Sequence, residues 1–123
     1  MKRILIATLF TLAAGLSFAD GDLTPRHGGV VVEAKSGHKV ELVAQSGMLT
    51  LYLFSHDGKP VDSKGAGAEI TLLAGSDKST AKFEASGENT LMAHGKFNTA
   101  AGAKAIVKFT LPGKAAEQVR LSF

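Results

Sequence analysis

Residues 26–43 read RHGGVVVEAKSGHKVELV. Val30 and Val32 alternate with Val31 and Glu33, Val40 and Leu42 alternate with Glu41 and Val43, and Lys35-Ser36-Gly37 lies between the two runs. An apolar period of two, rich in β-branched residues and interrupted by Ser-Gly, predicts two antiparallel strands joined by a hairpin loop. A slip of one residue would turn the whole apolar set to water, so the register must match apolar faces: Val30 with Leu42 and Val32 with Val40. In the next strand Leu49, Leu51 and Leu53 share a face. Leu42 then pairs with Leu51 and Val40 with Leu53, leaving Gln45 to Met48 as the connection.

The alternation continues to the end of the chain. GGVVVEA, HKVELVA, MLTLYLFS, AEITLLA, KSTAKFEA, NTLMAHGKF, KAIVKFTL and EQVRLSF read as strands, punctuated by KSG, QSG, SHDGKP, GSD, SGE, NTAAG and PGK. No stretch carries a sustained helical period. About seven or eight short strands with turn signals roughly every 8–12 residues predict an all-β domain, read here as an immunoglobulin-like β-sandwich. The expected core is Val30, Val32, Val40, Leu42, Leu49, Leu51, Leu53, Ile70, Leu72, Phe83, Leu91, Ile106, Phe109, Val119 and Leu121.

Ahead of this domain, residues 1–19 (MKRILIATLFTLAAGLSFA) combine Lys2 and Arg3, an apolar run from Ile4 to Leu16, and a small-x-small ending at Ser17-Phe18-Ala19. That is the pattern of a cleaved signal peptide, and the apolar run is shorter than the roughly 20 residues a membrane span needs. The expected organisation is a signal peptide over 1–19, a flexible N-terminal segment over 20–27 and one β-domain over 28–123, the product being periplasmic with no membrane association after cleavage. With 123 residues there is no room for a second core.

Two of the fourteen Lys and Arg residues and none of the eleven Asp and Glu residues fall in the leader, so the mature chain is nearly neutral. Its lysines are scattered without interleaved aromatics, which argues against a nucleic-acid partner. The chain contains no cysteine, so thiol catalysis, disulfides and thiolate metal sites are excluded. A metal would have to use His, Met, carboxylate or backbone donors.

Four histidines and two methionines of the mature chain supply candidates. His27 precedes Gly28-Gly29, which let the backbone approach a ligand or adopt positive φ. In TLMAHGKF, Met92 and His94 are i, i+2 neighbours on one strand face. Thioether beside imidazole suits Cu(I) or Ag(I), and imidazole alone suits Cu(II) or Zn(II). With the strands in this register, His27 is expected at the end of the sheet near Gln45 and the Met48 loop. The primary metal candidates are therefore His27, Met48, Met92 and His94. His38 and His56 fall together at the opposite end, where Asp57 could add a carboxylate, and form a second, weaker candidate pair. The chain has no GxSxG, HExxH, P-loop, EF-hand or GxGxxG motif, and no Ser, His and Asp spacing suggests a triad, so no enzymatic activity is expected.

The order HGGVVVEAKSGHKVELV, LTLYLFSHDGKPVDSKGAGAEITLL and NTLMAHGKF resembles small exported proteins and modules associated with heavy-metal efflux, in particular the periplasmic adaptor subunits of resistance-nodulation-division pumps. The resemblance runs from about His27 to Phe109. It implies a β-sandwich, a periplasmic role near copper, silver, zinc, cobalt or cadmium export, an efflux component as partner, and His27 as the one ligand carried by a matched motif. The chain lacks the helical hairpin and lipoyl-like module of a full adaptor. Two readings follow: a periplasmic accessory that binds a soft or borderline cation, or a non-catalytic module that docks on an envelope complex with its histidines incidental.

Overall fold

The computed structural model describes residues 23–123, and the expected signal peptide lies outside them. Eight strands follow one another: β1 (Val30–Glu33), β2 (Lys39–Gln45), β3 (Met48–Phe54), β4 (Gly67–Ala74), β5 (Asp77–Ala85), β6 (Thr90–His94), β7 (Lys104–Thr110) and β8 (Glu117–Ser122). Every pairing is antiparallel. Among the described residues no helix is long and apolar enough to cross a membrane.

The first two registers are those the apolar faces require. Val30 pairs with Leu42, Val32 with Val40, Leu42 with Leu51 and Val40 with Leu53. The β2–β3 turn is tighter than its sequence suggests, because Gln45 and Met48 themselves pair and only Ser46-Gly47 remain outside the ladder. Gly47 takes φ +77°, the left-handed conformation a two-residue hairpin demands.

The arrangement of strands departs from the expected immunoglobulin-like sandwich. All eight lie in one sheet in the order β1-β2-β3-β6-β5-β4-β7-β8. The strand that prevents a division into two layers is β5. Its residues from Asp77 to Phe83 pair with β4, whereas Glu84 and Ala85 pair with β6, so the hydrogen-bond ladder passes from one half to the other. The sheet curls until its edge strands β1 and β8 come within 8 Å between Cα atoms. Near this seam Ser36 donates from both its backbone N–H and its hydroxyl to the Glu117 carboxylate at the start of β8. The result is barrel-like, and eight strands enclose a space that side chains alone can fill.

That space is filled by Leu42, Leu49, Leu51, Leu53, Ile70, Leu72, Phe83, Leu91, Val107 and Phe109, together with the smaller Ala93 and Ala105. Val30 and Val32 are only partly buried against this core, as expected of an edge strand. Ile106 is a correction to the expected core: it shares neither parity nor face with Phe109, so the alternation of β7 turns Ala105, Val107 and Phe109 inward and Ile106 outward. Alanine at Leu51 should cost about 2–5 kcal/mol in urea unfolding, whereas alanine at the exposed Leu73 should change stability by no more than about 0.5 kcal/mol.

Candidate functional site

With the core residues turned inward, the alternate residues of β2, β3 and β6 form an outer face. Glu41 and Val43 on β2, Met48, Thr50 and Tyr52 on β3, and Met92 and His94 on β6 lie there. Part of this face is covered by the chain that leads into β1. Gly28 at φ +76° reverses that chain, and Gly29 presses so close to β2 that a Cβ would sit 2.3 Å from the Leu42 carbonyl oxygen. Arg26 and His27 are thereby laid back across β2 and β3 as a strap.

The strap closes over Glu41, whose side chain is 0% exposed. One carboxylate oxygen accepts from the Arg26 N–H at 3.1 Å and lies 3.0 Å from His27 Nδ1; the other accepts from the N–H groups of His27 at 2.8 Å and Gly29 at 2.9 Å. Burial, the largest single influence, pushes the Glu41 carboxyl upward. The Gly29 N–H, the His27 ring and the N–H groups of His27 and Arg26 together outweigh it, leaving the pKa below the ordinary glutamate value. An ionised carboxylate only accepts, so the proton between the two groups resides on Nδ1 and Nε2 is the ring nitrogen left over.

Aromatic contacts fix the rest of the strap. The His27 ring stacks on Tyr52 at 3.7 Å between centroids and 4° between planes. Arg26 lies over Phe54 at 4.8 Å, and its Nη1 donates to the Gly58 carbonyl at 2.7 Å. Beneath Arg26 a cavity of about 10 Å³, lined by Thr24, Val31, Lys39, Glu41, Phe54 and Gly58 as well, has room for about one water.

These contacts move His27 from its expected place. Straight continuation of β1 would carry it to the Gln45 end of the sheet, beside Met48. Reversal at Gly28 instead sets it on Tyr52, with Arg26 reaching the Gly58 turn beyond β3. Tyr52 and Met48 are four residues apart on β3, roughly 13 Å.

The other three primary candidates do share one patch. Met48 pairs directly with His94 across β3 and β6, and Met92 lies two residues before His94 on the same face. Opposed residues have Cβ atoms about 4.5–5.5 Å apart, and diagonal ones about 7–8 Å. Both methionines are half-buried and His94 is exposed. Ser86 donates its hydroxyl proton to the Met92 sulfur at 3.2 Å, which orients the thioether. Glu84, which the sequence reading passed over, pairs with Met92 from the β5 side.

His38 and His56 reach the same end of the sheet, as the strand registers require, but each takes its own partner. His56, in the turn after β3, bonds through Nδ1 to Glu33 Oε2 at 2.9 Å. His38, just before β2, bonds through Nδ1 to Ser36 Oγ at 2.9 Å. Since Ser36 gives its hydroxyl proton to Glu117 at 2.7 Å, that oxygen accepts from His38, and the imidazole is not placed to take the serine proton. Asp57 accepts a hydrogen bond from Ser55 and lies 4.0 Å from Lys59 Nζ; no contact joins it to His38.

Among the described residues, no three His, Cys, Asp or Glu side chains form a group that could hold a metal ion. No protein family, curated protein or solved structure matches the chain.

Alanine at Gly29 should lower stability by about 1–3 kcal/mol through the clash with β2 and abolish the ring-current shift that Tyr52 imposes on His27, read by NMR. Glu41 gives a pH dependence of known sign. Its pKa is lowered by folding, so its contribution is complete above the unfolded glutamate value near 4.3 and is lost as pH falls through the lower folded value. Between pH 6 and pH 3 the native protein should lose more stability than the Glu41→Gln variant, measured as the shift of the urea midpoint.

Proposed function

We propose that this chain is an exported, non-catalytic accessory protein that binds a soft or borderline metal cation in connection with metal efflux. The observation that carries this reading is the pairing of Met48 with His94, with Met92 beside them on the same outer face. Two thioethers and an imidazole make a donor set suited to Cu(I) or Ag(I), ions that accept low coordination numbers and sulfur ligands. Neither Met48 nor Met92 belongs to the packed interior, where a gap-filling methionine would sit.

His27 takes a different role from the one its motif suggests. Its Nδ1 is committed to a buried carboxylate, the arrangement that in metal proteins fixes the tautomer and ring orientation of a histidine ligand. Its position on Tyr52 makes it a separate imidazole donor, with Nε2 as the coordinating atom, and not a fourth ligand of the Met48 patch. The periplasmic location rests on the leader pattern, and an efflux component as partner rests on the resemblance of the sequence. Docking through a free strand edge has less to recommend it, because β1 and β8 lie against each other.

Titration of the protein with Ag(I) in nitrate buffer, followed through the methionine methyl and histidine ring NMR signals, tests the proposal. The Met48, Met92 and His94 signals should move together and saturate near one equivalent, and the double variant Met48→Leu/Met92→Leu should bind at least about tenfold more weakly, as loss of two soft ligands requires. If none of the three signals moves at stoichiometric Ag(I), the reading is overturned.

A further inference from the structure

We infer that Glu84 belongs to the Met48–Met92–His94 face and tunes it to a single monovalent soft cation, Ag(I) or Cu(I), in preference to a divalent one; this rests on the metal-binding reading above. β5 changes partner near its C-terminal end. Glu84 and Ala85 are the only residues of β5 in register with β6, and from Phe83 backward the strand belongs to β4. His94 therefore has no β5 residue opposite it, and the outer face is open beside it. A cation can reach the donors from that side without displacing a strand.

Glu84 stands at the edge of this opening, directly across from Met92 and diagonal to His94. It is exposed and makes no ion pair among the described residues. The nearest lysine along its own strand face, Lys82, leans the other way, with Nζ 4.0 Å from Glu69 Oε2 on β4. The carboxylate's charge is thus left to the Met92 side of the sheet. The two thioethers and neutral imidazole contribute no charge, so one carboxylate beside them balances a monovalent cation and leaves a divalent one in excess. A lone imidazole with one carboxylate is a poor set for Zn(II), which takes four nitrogen, oxygen or thiolate ligands. Ser86 acts as a positioning residue: its hydroxyl occupies one lone pair of the Met92 sulfur and leaves the other for the metal.

The test compares Ag(I) and Zn(II) binding by the native protein, Glu84→Gln and the control Glu69→Gln, all in nitrate buffer with methionine methyl and histidine ring signals as the readout. In 10 mM salt Glu84→Gln should bind Ag(I) about three- to tenfold more weakly, while Glu69→Gln binds as the native protein does. At 0.5 M nitrate the difference should shrink to less than about twofold, because an exposed charge at this range is screened. A tenfold excess of Zn(II) should leave the Ag(I)-shifted methyl signals in place. If Ag(I) moves the Met48, Met92 and His94 signals but Glu84→Gln binds as tightly as native, or a tenfold excess of Zn(II) displaces Ag(I), this inference fails and the metal-binding reading stands. If Ag(I) moves none of those signals in the native protein, both fail.

Discussion

The row formed by Leu42, Leu51 and Leu91 is the constraint on which the rest of the molecule depends. These three leucines pair across β2, β3 and β6, and each is fully buried. Moving any of these strands by one residue would bring a glutamate, threonine or methionine into the core and expose leucines to water, at a cost of several kcal/mol for the row. Once the row is fixed, the outward residues have no freedom in their placement. Glu41 must stand beside Tyr52, and Met48 must face His94, because their neighbours in sequence are committed inward.

The outward face then acquires two different characters. Toward β1 it is closed by the strap, whose three backbone N–H groups and imidazole surround one carboxylate. A buried glutamate without those donors would be strongly unfavourable, and the strap without the glutamate would leave several N–H groups unpaired. Each therefore requires the other. Toward β6 the face stays open, because β5 has left to join β4, and the residues there are two thioethers, an imidazole and a carboxylate that makes no ion pair among the described residues. The closed half positions a histidine; the open half gathers the donors that suit a soft cation.

Much of this was legible in the sequence. The strands, their number and the registers of β1–β2 and β2–β3 followed from apolar parity, a local property visible in residues 26–54. The Met92–His94 pairing on one face was legible for the same reason. Parity alone could not show that β5 would divide its ladder between β4 and β6, since nothing in KSTAKFEA marks the change at Glu84; the expectation of two layers gave way to one curled sheet at that point. Nor could it show that the two glycines after His27 serve a reversal and a close approach to Leu42, which carried His27 away from Met48 and onto Tyr52. Glu41 gave no warning of its burial, because an acidic residue in outward phase ordinarily faces water. His38 and His56 were brought to one end as expected, but they take separate partners, a serine hydroxyl for His38 and the Glu33 carboxylate for His56.

The central claim is that the leucine row forces Met48 and His94 onto one outer face. The most direct measurement is a through-space NMR experiment on metal-free protein labelled at the methionine methyl groups. Contacts from the Met48 methyl to the His94 ring protons, and from the Met92 methyl to Glu84 and Ser86, are the expected result. Contacts from the Met48 methyl to Leu42 and Leu91 instead would place that side chain in the interior and contradict the account.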